Sequence, residues 1–152
     1  MFRFHILIIT GLFLFLTNCK DNSDAVKYNV GQEWNYKTRQ GEANSTLKIL
    51  KIEEYLQHGK VIHISIGGLK VRNPNSKEGI AEEFTHIPIS EKALDESVTE
   101  LKNENSKIPK YIEGYSYWKK EFDKGQAGVF SIPVSEIVNS MEEAILTGNG
   151  VE

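Results

Sequence analysis

Glu82, Glu83 and His86 form a local grouping of two carboxylates with one imidazole in this 152-residue sequence. A carboxylate beside an imidazole can carry general acid–base chemistry, and His58 and His63 would add ligands for a metal ion. In an extended strand Glu82 and His86 share one face, whereas Glu83 lies on the other. These three residues are therefore the candidate site of a small hydrolase or accessory enzyme. The simpler interpretation is that they are surface carboxylates and a partly buried histidine.

Other signatures of an enzyme are absent from the sequence. It contains no G-x-S-x-G nucleophile motif, no H-E-x-x-H metal motif and no glycine loop of the kind that holds phosphates. The single cysteine, Cys19, excludes an intramolecular disulfide and a cysteine-rich metal site. A formal charge of −3 gives no reason to expect a nucleic-acid partner. We therefore favour a non-enzymatic protein with no catalytic residue, metal ligand or cofactor.

The segment 111–122 holds the densest group of aromatic side chains. At helical spacing Tyr115, Trp118 and Phe122 share one face, which we assign to the core. The tyrosines that fall off this face, together with the neighbouring lysines, are Tyr111, Tyr117, Lys119 and Lys120. Because exposed tyrosines beside lysines are typical of recognition surfaces, these four residues are the candidate partner-binding site.

Strands and helices must position these aromatic and carboxylate groups. The spacing of apolar residues in the sequence predicts where these elements lie. Apolar and polar residues alternate in the first half, and the predicted strands there are 33–39, 46–55 (with a bulge near Leu50), 61–66 and 80–87. The second half has a helical period, and the predicted elements are helices at 90–101, 115–124 and 135–146 and a strand at 127–134.

These elements predict an α+β fold, a twisted antiparallel sheet of about five strands with two or three packed helices. A partly closed small barrel is the alternative arrangement. The last helix has the clearest apolar stripe, and the residues expected to bury against the sheet are Ile137, Val138, Met141 and Ile145. The segments 87–91 and 132–136 share an Ile-Pro-x-Ser-Glu order, which predicts a proline that ends a strand and a serine N-cap in each.

The N-terminus has the plan of a secretory signal peptide. Arg3 precedes an apolar run at 6–16, which is shorter than the ~20 residues that a membrane-spanning helix needs. The sequence Leu16-Thr-Asn-Cys19 that follows resembles the lipobox of bacterial lipoproteins. The resemblance implies cleavage before Cys19 and lipidation of its sulfur and new amine. The alternative is an ordinary signal peptide or uncleaved anchor with an incidental cysteine.

The residue after Cys19 is Lys20 rather than aspartate, and aspartate there resembles an inner-membrane retention signal. The resemblance therefore implies a lipid-anchored protein of the cell envelope, in the outer membrane and facing the periplasm. The domain organisation that follows is a lipoprotein signal peptide at 1–18, a lipidated N-terminus and tether at 19–27 and a single α+β domain at 28–152.

The rest of the chain is similar to uncharacterised bacterial lipoproteins and hypothetical envelope proteins. The segments that suggest this are 30–36, 73–75, 87–90 and 127–134. We expect a lipid-anchored, non-enzymatic binding module with a protein or cell-wall partner, of which an inhibitor or toxin-immunity protein is a specific version. The alternative is the small periplasmic hydrolase or accessory enzyme that would use Glu82, Glu83 and His86.

Overall fold

The computed structural model describes residues 27–148. The predicted signal peptide at 1–18, the lipidation site Cys19 and nearly all of the tether at 19–27 lie outside the described residues. Among the helices of the described part, none is long and apolar enough to cross a membrane.

Within residues 27–148 the chain forms one antiparallel sheet of five strands in the order β4-β3-β2-β1-β5. The strands are β1 (Glu33–Tyr36), β2 (Thr46–Tyr55), β3 (Gly59–Arg72), β4 (Ile80–Ser90) and β5 (Val98–Asn103). The same part of the chain contains three helices, which are α1 (Glu91–Ser97), α2 (Ile112–Asp123) and α3 (Val134–Thr147). The α+β prediction is confirmed, and β4 and β5 are the two edges of an open sheet.

The two faces of the sheet are covered by different helices. Ile62 and Ile64 of β3 belong to an aliphatic core that also contains Ile137 of α3, all at 0% exposure. Because side chains alternate along a strand, His63 lies on the opposite face. There its ring meets Trp118 of α2, with centroids 4.9 Å apart. Residues 61–66 of β3 are therefore buried on both sides of the sheet.

The aliphatic core lies between the sheet and helices α1 and α3. Ala93 and Leu94 of α1 are buried in it, and Ile137 and Val138 of α3 are completely buried. Met141 and Ile145 are partly buried and pack against the same cluster. The predicted stripe of the last helix is thus confirmed.

The bulge predicted near Leu50 is present. The β2–β3 register shifts between Ile49 and Lys51, so that Ile49 pairs with Ile64 and Lys51 pairs with His63. The extra residue changes which face the following side chains take. As a result Lys51 lies beside His63 on the α2 face.

Two predicted elements are wrong. The helix predicted at 90–101 ends at Ser97, and Val98–Asn103 turns into β5, which pairs with β1. The strand predicted at 127–134 reduces to a single parallel bridge between Phe130 and Ile89. The fifth strand is therefore a different segment from the one predicted, because pairing with β1 overrides the helical spacing of Val98 and Leu101.

Only the first of the two Ile-Pro-x-Ser-Glu segments has the predicted serine N-cap. Ser90 is the N-cap of α1 and accepts a hydrogen bond from the amide of Ala93 at 3.3 Å. In the second copy α3 begins at Val134 after Pro133, so Ser135 is inside the helix. Pro88 does not end pairing either, since it stays in β4 opposite His63 and its carbonyl accepts from Phe130. A proline is tolerated there because β4 is an edge strand.

Candidate functional site

A partly buried cluster of polar side chains, centred on the buried His63, lies between the sheet and α2. Its members, called the histidine cluster below, are Lys51 and Glu53 of β2, His63 of β3, His86 of β4 and Tyr115 of α2. Polar groups are placed in a protein interior only where hydrogen bonds compensate for lost water. This cluster is therefore where chemistry or a specific structural role is most to be expected.

Hydrogen bonds define the protonation of the two imidazoles. His63 is completely buried, its Nε2 lies 3.0 Å from Oε2 of Glu53, and its Nδ1 lies 2.9 Å from Nε2 of His86. A carboxylate only accepts, so His63 donates from Nε2; in the neutral ring Nδ1 then accepts from the Nε2–H of His86. Both rings are neutral in this arrangement, with the proton on Nε2.

Glu53 accepts from four side chains, which are His63, Lys51, Tyr115 and, at 3.2 Å, Tyr55. Nζ of Lys51 lies 2.9 Å from Oε1, and the hydroxyl of Tyr115 lies 3.1 Å from both carboxyl oxygens. Burial alone would raise the pKa of Glu53, but the hydrogen bonds from Lys51 and Tyr115 outweigh it and hold the pKa below its usual value. Glu53 is therefore ionised, which supports the assignment of His63 as the donor.

Aromatic rings close the cluster on the helix side. The His63 and His86 rings stack with centroids 5.1 Å apart and an interplanar angle of 18°. Tyr115 meets His63 edge-on at 5.1 Å, and Trp118 donates from Nε1 to the carbonyl of Gly128 at 2.8 Å. The predicted inner face of the aromatic segment is confirmed, and it packs on histidines rather than on aliphatic side chains.

Gly114, which has no side chain, allows the first turn of α2 to approach His86 closely. A Cβ atom at this position would lie 3.0 Å from Cβ of His86, closer than ordinary side chains pack. The first turn of the helix therefore lies directly against the His86 ring. A larger residue at 114 would push α2 away from the sheet.

Burial governs the basicity of both imidazoles. It lowers the pKa of His63 from 6.5 to about 4, a change that Glu53 opposes but does not cancel. It lowers the pKa of His86 to about 4 as well, with the neighbouring His63 adding to the effect. At neutral pH both rings are therefore uncharged, in agreement with their hydrogen bonds.

The polar groups of the histidine cluster are bonded to one another. In residues 27–148 every buried side-chain nitrogen or oxygen has a hydrogen-bond partner. Over the same range no group of three or more His, Cys, Asp or Glu side chains is arranged to hold a metal ion. The hydrogen bonds of Tyr115 with Lys51 and Glu53 connect α2 to β2.

The structure does not bring Glu82 and Glu83 to His86. Both glutamates are exposed, and they line a groove beside Gly67 and Gly68 at the other end of β4. The shared face predicted for Glu82 and His86 is interrupted because the β3–β4 register shifts between Ile64 and Ile66.

His58 is separate from the histidine cluster. It is exposed in the β2–β3 turn, where its ring lies 5.2 Å from that of Phe122. The partner that His86 acquires instead of Glu82 and Glu83 is His63, which in turn is hydrogen-bonded to Glu53. No sequence motif links His86, His63 and Glu53. The bulge predicted near Leu50 does set the face of β2 on which Glu53 lies.

The four candidate partner-binding residues are divided between the two sides of α2. Tyr117 is 72% exposed and Lys120 is also exposed. Tyr111 is half-buried and meets Tyr115 edge-on at 6.3 Å. Lys119 forms an ion pair with Asp123. Tyr117 and Lys120 are thus the members presented to solvent.

Sequence reasoning missed Ile112. This side chain is 62% exposed at the start of α2, where it borders a groove of ≈ 590 Å³. The groove is lined by Thr85, Pro109, Lys110, Tyr111, Ile112, Glu113 and Gly114. Spacing alone gave no signal for this exposure, because Ile112 lies three residues before Tyr115 and so borders the inner face.

A second polar network, which the sequence analysis did not predict, connects α3 to the sheet. Its members, called the α3 clasp below, are Arg39, Glu42, Arg72 and Glu142. Glu142 accepts from Arg39 at 2.5 Å and from Nε of Arg72 at 2.8 Å, and Arg39 also binds the buried Glu42. Burial would raise the pKa of Glu142, but the hydrogen bonds from Arg72 and Arg39 lower it to about 2. All charged partners are satisfied within the network, so it is a structural clasp.

The described residues form an α+β domain with an aliphatic layer on one face of its sheet and a helix held by a polar cluster on the other. Comparison with protein-family models, with curated proteins and with solved structures finds no match for this chain. The functional argument therefore rests on the residues and geometry described above.

Proposed function

We propose that the protein is a lipid-anchored bacterial envelope protein that acts as a non-enzymatic binding module, with the outer face of α2 as its contact surface. The observation that carries this proposal is the exposure of two large apolar side chains, Ile112 at 62% and Tyr117 at 72%, on one short helix. Lys120, one helical turn after Tyr117, adds an exposed positive charge. Tyrosine is among the residues that contribute most energy to protein interfaces.

The inner face of α2 makes this surface rigid. Trp118 is 7% exposed, stacks on Phe122 with centroids 4.6 Å apart and is hydrogen-bonded to Gly128. Tyr115 is tied to Glu53 and Lys51. A contact surface that is already ordered costs less conformational entropy on binding. The partly buried polar cluster thus supports a binding role for the exposed side.

The resemblance to lipoproteins supports a partner close to the membrane. If Cys19 carries the lipid, residues 19–27 span at most ~30 Å at 3.3–3.6 Å per residue. The domain would then search a thin layer above the membrane surface. A protein or cell-wall component in that layer fits the mixed apolar and basic character of Ile112, Tyr117 and Lys120, and an inhibitor or toxin-immunity role is a specific version.

Crosslinked capture from envelope fractions tests the contact surface. The lipidated protein with Tyr117→Ala and Ile112→Ala together should capture at least tenfold less partner than the unmodified protein. Its Tm should change little, because exposed substitutions typically alter stability by about 0.5 kcal/mol or less. Leu146→Ala is the matched control, since Leu146 is a partly exposed apolar residue on α3. Equal capture by all three proteins would place the surface elsewhere.

Cys19→Ser tests the anchor independently. This variant should lose incorporation of a fatty-acid analogue and leave the detergent-soluble membrane fraction. A firm anchor requires more than one acyl chain, and the implied modification of Cys19 supplies them. Labelling of the variant as strong as that of the unmodified protein would contradict the lipoprotein interpretation, while leaving the contact surface untouched.

A further inference from the structure

Helix α2 is held on the sheet by few apolar contacts. Among its described residues, Ile112–Asp123, the buried side chain is Trp118, whereas α3 buries Val134, Ile137 and Val138. Trp118 and Phe122 also meet the ring of Tyr55 of β2. The first turn of α2 is attached through the histidine cluster, by the hydrogen bonds of Tyr115 and by the close contact of Gly114 with His86. The protonation state of that cluster therefore bears directly on whether α2 stays in place.

The hydrogen bond between the two rings holds only one proton. A first added proton is accommodated if His63 donates from Nδ1 and the proton of His86 moves to its Nδ1, but protonation of both rings would set two N–H groups against each other over 2.9 Å. A proton on Nδ1 of His86 would put a positive charge under the first turn of α2, at Gly114. The N-terminus of a helix carries partial positive charge and repels a cation.

The charged groups around the pair do not compensate. The titratable side chains that face it are Lys51, Glu53 and Tyr55 of β2 and Tyr115 of α2, besides the two histidines themselves. Glu53, the carboxylate of the cluster within the described residues, is already bound to Lys51 and Tyr115. A second cation beside Lys51 would therefore share one carboxylate with it.

We propose that the stacked pair His63–His86 is a proton-operated latch, which holds α2 on the sheet when both rings are neutral and releases it when both rings are protonated. The latch is a property of the isolated domain. Its consequence, that acidification weakens partner capture by Ile112 and Tyr117, rests on the function proposed above.

The direction of the pH effect follows from the pKa values. In the folded state both pKa values are about 4, whereas an exposed histidine titrates near 6.5. The released state binds more protons than the latched state at any pH between these values. Attachment of α2 is therefore complete above pH 6.5 and is progressively lost as the pH falls toward 4.

Hydrogen exchange of the backbone amides, corrected for the intrinsic pH dependence, tests the latch without any partner. From pH 7 to pH 4.5 the protection factors of α2 should fall at least tenfold, while those of α3 remain nearly unchanged. Glu142 stays ionised at pH 4.5 because its pKa is about 2, so the α3 clasp is an internal control. Unchanged protection in α2, or an equal fall in α2 and α3, would overturn the proposal.

Two glutamine variants test whether the loss of α2 protection in acid comes from the His63–His86 pair. His86→Gln keeps an N–H donor near Nδ1 of His63 but does not titrate, so its acid-induced loss of α2 protection should be severalfold smaller. His58→Gln removes an exposed histidine outside the cluster and should behave like the unmodified protein. A full loss in His86→Gln would contradict the latch. Because no partner is used, this result is independent of the capture experiment on Tyr117 and Ile112.

Discussion

The two faces of the sheet are stabilised by different physical effects. On one face α1 and α3 bury aliphatic side chains such as Leu94 and Ile137, and non-directional burial of this kind is insensitive to pH. On the other face α2 is attached through hydrogen bonds and ring contacts to His63, His86 and Glu53. The comparison indicates that one face supplies most of the stability, whereas the other supplies an element whose attachment can be changed.

The largest expected effect comes from a charge placed in the aliphatic face. Ile137→Asp should unfold the domain or cost about 5 kcal/mol or more, because it combines a lost buried side chain with a buried unpaired carboxylate. Total stabilities are only about 5–15 kcal/mol. Chemical denaturation followed by circular dichroism measures the change.

The matched substitution on the α2 surface is Ile112→Asp, at a side chain that is 62% exposed. It should change the free energy of unfolding by about 0.5 kcal/mol or less. Ile145→Asp, at a partly buried position of α3, should fall between the two. An unchanged stability in Ile137→Asp would show that the aliphatic face does not dominate.

An intermediate effect, with its own pH window, is expected at the α3 clasp. The pKa of Glu142 is about 2 in the folded state against an ordinary 4.5, so this carboxylate stabilises the fold above pH 4.5 and loses that effect as the pH falls toward 2. Glu142→Gln should therefore cost about 1–2 kcal/mol at pH 7. Urea unfolding should show the difference from the unmodified protein shrinking at pH 3.

This window lies below that of the histidine pair, between about 6.5 and 4. The two faces should therefore respond to acid in sequence, α2 first and the α3 clasp afterwards. A Glu142→Gln difference as large at pH 3 as at pH 7 would show that the clasp is not electrostatic.

A smaller effect than at Glu142, confined to α2, is expected at Gly114. Gly114→Ala brings a Cβ to 3.0 Å from His86, and this crowding should outweigh the better helix propensity of alanine by about 1 kcal/mol. The loss should be confined to α2 and visible as faster hydrogen exchange there. Gly128→Ala is the control, since a Cβ at Gly128 meets no atom within 4 Å. Equal stability of both variants would mean that the space between Gly114 and His86 accommodates a methyl group.

The candidate site was only partly predictable. The helical spacing of Tyr115, Trp118 and Phe122 correctly predicted the inner face of α2, and the off-stripe position of Tyr117 agrees with its exposure. Local proximity suggested Glu82 and Glu83 as partners of His86, but the structure supplies His63 instead. Two register shifts, one in each strand pair around β3, decide these contacts.

The sequence by itself determined the features that depend on local pattern. The period of residues 135–146 specified the buried stripe of α3, and the break in alternation at Lys51 specified the bulge at Leu50. The α+β class follows from the same periods, because alternation and helical spacing each require a neighbour to cover the apolar side.

Only the tertiary structure decided which segment completes the sheet and which polar groups meet. Val98–Asn103 rather than residues 127–134 became the fifth strand, because pairing with β1 is a contact between distant parts of the chain. Likewise His63 lies 23 residues from His86 and 10 residues from Glu53 in the sequence. Such contacts depend on strand register, which a single bulge shifts by one residue, and no local spacing encodes them.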